Sequence, residues 1–288
     1  MAGKGSIFLN QGRRAVRCGG FLGARLRSGS GRPDYLMGVG DCMLLDFRKG
    51  FFAVADSSER NSSSSRAFML RFAGLLEGLD GIGAPRSFDD AQQAALREEV
   101  ERQSEKILGE MSFTDSCTFT GVLILKSATG CRGLLLHTGD SLLLHYDLGA
   151  ATALQVTRSN FWMVGRTPRF FQVEYLSFSD ESRLLLSTDG FTYLRTPPPE
   201  RREDFIRGLF EEHPVEDIPD ILIDGYDAGD IAKDDLALIS LRPAGLCFHD
   251  QRIILGGPTS HVERSFREGQ TDGRYEDLYT PVLQAGAA

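Results

Sequence analysis

The chain has 288 residues, of which 41% are hydrophobic and 25% are charged, so it can bury one large core or two small ones. Its net charge of −8 makes nucleic acid a poor partner, because phosphate backbones attract clustered Lys and Arg. No apolar run approaches the roughly 20 residues that a bilayer crossing requires, so we expect no membrane association.

The cysteines and the N-terminus predict a reducing, cytoplasmic location. The N-terminal arginines are not followed by the apolar stretch of a signal peptide. The number of cysteines is odd and they form no C-x-x-C pair, which argues against a disulfide framework and against a zinc knuckle. The acidic excess either serves solubility alone or includes carboxylates that converge on a cation, and charge alone does not decide between the two.

The first half of the chain predicts strands, then two helices, then strands again. Segments 35–47 and 50–56 read as strands joined by a tight turn at Arg48–Gly50. Helical spacing then links Phe68, Phe72, Leu75, Leu76 and Leu79. A second helix opens at 87–90, and its apolar face carries Leu96, Val100, Ile107, Leu108 and Met111. Strand patterns return from residue 116 to residue 154.

The second half predicts a surface excursion at 158–179, a buried strand at 183–190 and helices at about 201–213 and 216–224. A strand at 234–243 closes the predicted core. We therefore predict one domain at 1–243 and a C-terminal extension, partly irregular, at 244–288. Hairpin-like strand runs around a helix pair favour an α+β or layered α/β/α architecture with mostly antiparallel sheets.

Several aspartates lie where an apolar strand ends or begins: Asp56, Asp140, Asp189 and the pair Asp234–Asp235. Carboxylates gathered at one edge repel one another unless cations lie between them. Mg²⁺ and Mn²⁺ prefer such oxygen ligands. For any single aspartate, a turn or helix-cap role is the commoner alternative.

The order of these motifs resembles the protein phosphatase 2C (PPM) family of metal-dependent serine/threonine phosphatases, over roughly residues 20–243. The segments that carry the resemblance are "FFAVADSS", "SCTF", "HTGDSL", "LLLSTDG" and "DDLALISL". The resemblance implies a four-layer α/β/β/α sandwich, in which two mostly antiparallel sheets are flanked by helix pairs. It also implies two Mn²⁺ or Mg²⁺ ions, with a third as a further possibility.

The resemblance also assigns roles to residues of this chain. Asp56 bridges the two metals, the carbonyl of Ser57 is a ligand, and Asp189 and Asp234 complete the first-metal set. Asp140 matches the ligand of the third, weaker metal. Asp56, Asp189 and Asp234 are thus the predicted catalytic residues.

The chain departs from the family pattern near its N-terminus. Asp34 matches the last residue of the family's "R-x-x-N-E-D" segment, but Pro33 replaces the Glu. Arg32 or Arg27 could bind phosphate, since guanidinium groups match phosphate oxygens, and a solvated loop arginine is the alternative. We expect Asp34, together with His137 and Asp235, to support the site without being principal ligands.

These residues predict a phosphatase that hydrolyses phosphoserine and phosphothreonine in proteins through a metal-activated water. The altered motifs at Pro33 and after Asp56 leave a second reading open: a catalytically impaired, phosphatase-like binding or regulatory module. An unrelated α+β hydrolase is a third, which four ordered motifs disfavour.

Overall fold

A computed structural model describes residues 6–9, 16–27, 40–58, 64–79, 89–127, 130–193, 202–225 and 234–256. Its strands are β1 (Ser6–Leu9), β2 (Val16–Cys18), β3 (Leu22–Arg27), β4 (Cys42–Asp46), β5 (Phe51–Ala55), β6 (Phe119–Ser127), β7 (Gly130–Thr138), β8 (Leu142–Asp147), β9 (Thr152–Gln155), β10 (Gln172–Phe178), β11 (Ser182–Ser187), β12 (Leu236–Leu241) and β13 (Arg252–Gly256). Its α-helices are α1 (Ser64–Gly78), α2 (Asp90–Glu110), α3 (Arg202–Glu212) and α4 (Ile218–Gly225).

The strands form two sheets. The first has the order β1-β13-β4-β5-β6-β7-β10, and the second has the order β2-β3-β12-β11-β8-β9. Neighbouring strands are antiparallel, except that β1 runs parallel to β13. The expectation of two mostly antiparallel sheets is therefore confirmed.

Alternating side chains of each strand pack in different cores, because successive residues of a strand point to opposite faces. In β5, Phe52 and Val54 belong to the core between the two sheets, whereas Phe51 and Ala53 face α1 and α2. A third core lies between the second sheet and the helices α3 and α4. Three cores separate four layers, so the predicted α/β/β/α sandwich is confirmed.

The predicted helix pair is also confirmed. The apolar series from Phe68 to Leu79 is buried against the first sheet. Asp89 caps α2: its side chain accepts a hydrogen bond from the N–H of Gln92, whose own side chain accepts from the N–H of Asp89. This reciprocal arrangement satisfies two N–H groups that a helix start leaves without partners.

Two expectations about the second half are wrong. The strand after Asp235 does not close the core, because β13 follows it and is buried between β1 and β4. The segment 158–179 is an excursion only in its first part, since β10 pairs with β7 along seven residues. The domain boundary at residue 243 stays a prediction.

A buried ion pair helps to hold β13 in the sheet. The Nε of Arg252 donates to the carboxylate of Asp46 in β4 at 2.6 Å, and its Nη1 lies 2.9 Å from Glu77 of α1. Asp46 is completely buried. β13 thus neutralises a charge that lies in the core of the sheet.

Among the helices that the structure describes, none combines the length and the apolar character needed to cross a membrane.

Candidate metal and phosphate site

The site begins where β4 starts and β5 ends. The antiparallel register pairs Cys42 with Ala55, so one step further Asp41 lies beside Asp56. Their side chains are hydrogen-bonded to each other. Met43 lies two residues after Asp41, and Val54 lies two residues before Asp56. Both face the core between the sheets. Both carboxyl groups therefore lie at one end of the layer between the sheets.

The second sheet brings its residues to the same end. The Thr188 hydroxyl, at the end of β11, donates to the Oδ2 of Asp41 at 2.6 Å. The backbone N–H of Gly40 donates to the Oδ2 of Asp235 at 2.6 Å. Asp189 follows Thr188 directly and begins a short 3-10 turn, which ends at Tyr193. Asp235 lies directly before β12.

Gly190 allows the two motifs of the second sheet to approach each other. A Cβ atom at Gly190 would lie 2.0 Å from the backbone oxygen of Asp235, which no side chain could tolerate. The glycine after Asp189 is therefore required by packing. This contact fixes the Asp189 turn against the segment that carries Asp234 and Asp235.

Asp140 reaches the site from the turn that connects β7 to β8. It lies at the surface, and the part of its carboxyl group that faces the protein loses water, which raises the pKa of Asp140. The charge of Asp234 raises that pKa further. The structure thus brings the predicted ligands Asp140 and Asp234 within electrostatic reach of each other.

Asp41 is a buried carboxyl group that lies among other acidic groups. Burial raises the pKa of Asp41 well above its usual range, and the charges of Asp56 and Asp235 raise it further. The hydrogen bond from Thr188 acts in the opposite direction.

Thr118 joins the Asp56 strand end to the Asp140 turn. Its Oγ1 accepts from the N–H of Asp56 at 3.0 Å and lies 2.7 Å from the Oγ of Ser141. Its own N–H donates to the backbone oxygen of Asp56 at 2.8 Å. Ser57 is buried, and its hydroxyl accepts from the N–H of Ser65 in the first turn of α1. The ligand role of the Ser57 carbonyl stays a prediction.

His137 is buried and hydrogen-bonded at both ring nitrogens. Nδ1 lies 2.8 Å from the hydroxyl of Thr120, and Nε2 lies 3.1 Å from the carbonyl of Arg158. A neutral ring protonated at Nε2 satisfies both partners. Burial lowers the pKa of His137 to about 4, so the ring is neutral at physiological pH. His137 therefore attaches the loop after β9 to β7.

The predicted phosphate-binding arginines are not both described. Arg32 lies outside the described residues, as does Asp34. Arg27 ends β3 opposite Leu236. It shares a face of the strand with Arg25, which donates to Asp220 and Asp224 of α4. Its side chain is therefore on the α4 face of the second sheet, and its phosphate-binding role stays a prediction.

Asp41 and Thr188 also belong to the site, although neither was predicted from the sequence. The signal for Asp41 was its place before a strand: in a hairpin, the start of one strand lies beside the end of its partner. Because Asp56 ends β5, the residue before β4 had to lie next to it. Nothing in the sequence indicated that Thr188 would reach across to the other sheet.

The donor atoms fit a hard divalent cation in their chemistry. They are carboxylate oxygens, and the charges that act on Asp41 and Asp140 are those of other aspartates, as expected where a cation is required. Within the described ranges, however, no group of three or more His, Cys, Asp or Glu side chains is placed to hold a metal ion. These residues therefore match such a cation in the type of their ligand atoms and in their location at one end of the layer between the sheets.

Comparison with known proteins identifies the fold. No protein-family model matches the chain, and no curated protein is significantly similar to it in sequence. Among solved structures, the serine/threonine phosphatase PstP/Ppp of Mycobacterium tuberculosis is 17% identical, with a TM-score of 0.50 over 76% of this chain and 97% of that one. PppA, a regulatory component of T6SS in Pseudomonas aeruginosa, is 15% identical, with a TM-score of 0.54 over 80% and 99%.

A third similar structure is RsbX in complex with magnesium, 17% identical, with a TM-score of 0.51 over 79% of this chain and 97% of that one. At these identities the likeness concerns the fold alone. The resemblance to protein phosphatase 2C is confirmed at that level, and the chain has the fold of the bacterial PPM serine/threonine phosphatases.

Proposed function

We propose that this chain is a metal-dependent phosphoprotein phosphatase that hydrolyses phosphoserine and phosphothreonine. The observation that carries the proposal is the meeting of aspartates from both sheets at one end of the layer between them. This meeting occurs in the fold of known serine/threonine phosphatases. Asp56, Asp189 and Asp234 are the proposed catalytic residues.

Two Mn²⁺ or Mg²⁺ ions are the proposed cofactors, with Asp140 available to a third. Asp56, the carbonyl of Ser57, Asp189 and Asp234 would hold them, in keeping with oxygen donors and with the magnesium complex of RsbX. When bound, such ions supply an activated water and neutralise the charge of the phosphate.

The protein itself keeps the carboxylates in place. Thr188 and the N–H of Gly40 donate across the space between the sheets, so that each sheet orients an aspartate of the other. Thr118 holds the backbone of Asp56 from both sides. Arg27 and Arg32 are the proposed phosphate-binding residues.

The proposal is tested by hydrolysis of a phosphothreonine peptide with and without Mn²⁺. We expect activity that depends on Mn²⁺ and that is abolished by a chelator. Asp189→Asn should reduce kcat/KM at least about 100-fold, because the loss of even an outer-shell partner of a metal lowers metal affinity or activity 10–100-fold. Asp204→Asn, an exposed aspartate of α3, is the matched control and should leave activity unchanged. Undiminished activity in Asp189→Asn would refute the proposal.

One observation favours a second candidate, a binding or regulatory module without catalysis. Among the described residues, no three His, Cys, Asp or Glu side chains are placed to hold a metal ion together. Calorimetry separates the two candidates: a folded chain that binds no Mn²⁺ at millimolar concentration cannot use the proposed chemistry. Binding of about two ions would support the phosphatase.

The proposed partner is a phosphorylated protein and the proposed location is the cytoplasm. All five cysteines are free in the structure, which supports a reducing compartment. The absence of nucleic acid and membrane partners stays a prediction from charge and composition.

A further inference from the structure

We propose that the loop between β9 and β10 carries a docking surface for an acidic segment of the phosphoprotein substrate, beside the residue that is dephosphorylated. The proposal rests on the proposed phosphatase function. We name this region the aromatic–arginine surface, and its members are Phe113, Phe161, Trp162, Arg166, Arg169 and Phe171.

The loop between β9 and β10 carries positive charge on an acidic protein. No acidic residue occurs between Asp147 and Glu174, although the chain has 40 Asp and Glu residues and a net charge of −8. The same stretch contains Arg158, Arg166 and Arg169. A positive segment on an acidic protein attracts acidic partners and repels basic ones.

Several aromatic rings of this surface are exposed. Phe161 is completely exposed, and Phe113 is 53% exposed. Phe171 is also exposed, and Trp162 packs against its ring edge to face at 5.4 Å. Rings of this kind anchor protein partners, because they bury a large area with few rotatable bonds.

Two arginines of this surface stack on aromatic rings. The guanidinium of Arg166 lies 4.6 Å from the ring centre of Phe113, and that of Arg169 lies 5.8 Å from Trp162. Stacking on an aromatic face restricts the long side chain while leaving N–H groups at the guanidinium edge. These N–H groups can bind carboxylates with a reduced loss of side-chain entropy.

Hydrogen bonds attach this surface to the candidate site. Asn160 clamps the turn before Asp140: its N–H donates to the oxygen of Gly139 at 2.9 Å, and its Oδ1 accepts from the N–H of Gly139 at 3.1 Å. The same Oδ1 accepts from the N–H of Trp162 at 3.0 Å. The aromatic–arginine surface is therefore joined to the Asp140 turn through one side chain.

A second attachment reaches the Asp56 side. The N–H of Val164 donates to the oxygen of Cys117 at 2.9 Å, and Cys117 forms a β-bridge with Ser57. The loop thus contacts the turn that carries Asp140 and is linked through Cys117 to the strand end that carries Asp56 and Ser57. A peptide whose phosphate occupied the site would pass next to this surface, whereas a lipid bilayer has no such reason to lie there.

The single tryptophan of the chain gives a direct measurement, since Trp162 belongs to the surface. The intact protein is titrated with a phosphothreonine peptide flanked by Asp and Glu, and with the same peptide carrying Asn and Gln. We expect the acidic peptide to change the emission of Trp162 at an approximately tenfold lower concentration. Added salt should reduce this preference.

Variants locate the effect. Arg166→Gln with Arg169→Gln should remove the preference for the acidic peptide and raise its KM about tenfold. The kcat/KM for p-nitrophenyl phosphate, which has no flanking residues, should not change. Arg97→Gln, at an exposed ion pair of α2, is the control and should behave as the parent protein.

Each outcome has a defined meaning. Equal KM values for both peptides in the parent protein would overturn the docking proposal while leaving the phosphatase intact. A selective change in emission without any hydrolysis would support docking and refute the proposed enzymatic function. A change in emission with anionic phospholipid vesicles, but not with peptides, would overturn the proposal in favour of a membrane surface.

Discussion

At the scale of single residues, His137 illustrates how position changes the role of a side chain. A histidine three residues before a proposed metal ligand could be a ligand or a proton carrier. In the structure it is buried between Thr120 and the carbonyl of Arg158, and burial lowers its pKa to about 4. It is therefore a neutral anchor for the loop that carries Asn160.

His137 should make the stability of the protein depend on pH. The pKa of His137 in the folded protein lies below the value of 6.5 that an unfolded histidine has, so the unfolded chain binds a proton first as the pH falls. The contribution of His137 to the stability of the folded protein is therefore fully present above pH 6.5, and it is lost as the pH falls toward about 4. Between pH 7 and pH 5 the contribution of His137 should fall by about 2 kcal/mol.

Urea unfolding of the parent protein and His137→Asn at both pH values measures this contribution. The stability advantage of the parent protein should shrink by that amount on acidification. An advantage that is equal at the two pH values would show that His137 does not titrate as its burial requires. His213→Asn, a histidine after α3, serves as the control.

At the scale of elements, β13 shows where the sequence was informative and where it was not. The series Phe68 to Leu79 predicted α1, because a helical face must repeat every three to four residues. β13 has only five residues and begins with a charge, Arg252, within a polar segment. Its partner Asp46 is far away in sequence, so only the folded structure reveals that the charge is neutralised.

The same limit applies to the site. Asp56, Asp189 and Asp234 could be proposed from the sequence because each lies next to an apolar strand within a recognisable motif. Asp41 could be inferred only by following the register of the predicted hairpin, and Thr188 required knowledge of how the two sheets face each other. Pairing between distant strands leaves no local periodicity that a single sequence displays.

Replacement of Arg252 by Met should therefore destabilise the protein by about 3 kcal/mol, because it leaves the buried carboxylate of Asp46 without its main cation. Chemical denaturation measures the loss. Arg207→Met, at an exposed ion pair of α3, should change stability by less than about 0.5 kcal/mol. The double variant with Asp46→Asn should recover part of the loss, and no recovery would contradict the buried-pair explanation.

At the scale of the whole molecule, the core between the sheets joins the two halves of the sandwich. Ile253 of β13 and Leu184 of β11 belong to this same core, although they lie in different sheets. Such a core predicts a single cooperative unfolding transition. This expectation bears on the predicted boundary at residue 243, because an independent extension would unfold separately.

We expect Ile253→Ala to destabilise the entire molecule by about 2–5 kcal/mol, as for other buried apolar truncations. Leu184→Ala should have a similar effect, whereas Leu154→Ala, which is 60% exposed, should have little. Trp162 fluorescence and far-ultraviolet circular dichroism should report coincident transitions. A loss of stability in Ile253→Ala that one probe registers and the other does not would favour an extension that folds by itself.

The parallel pairing of β1 with β13 has a consequence for biosynthesis. Its register sets Ser6 against Arg252, so β1 leaves the ribosome long before the strand with which it pairs. At roughly 5–20 residues per second, β1 waits on the order of 10–50 s for this partner. During that interval its edge is open to other strands, and chaperones that shield nascent chains should bind there.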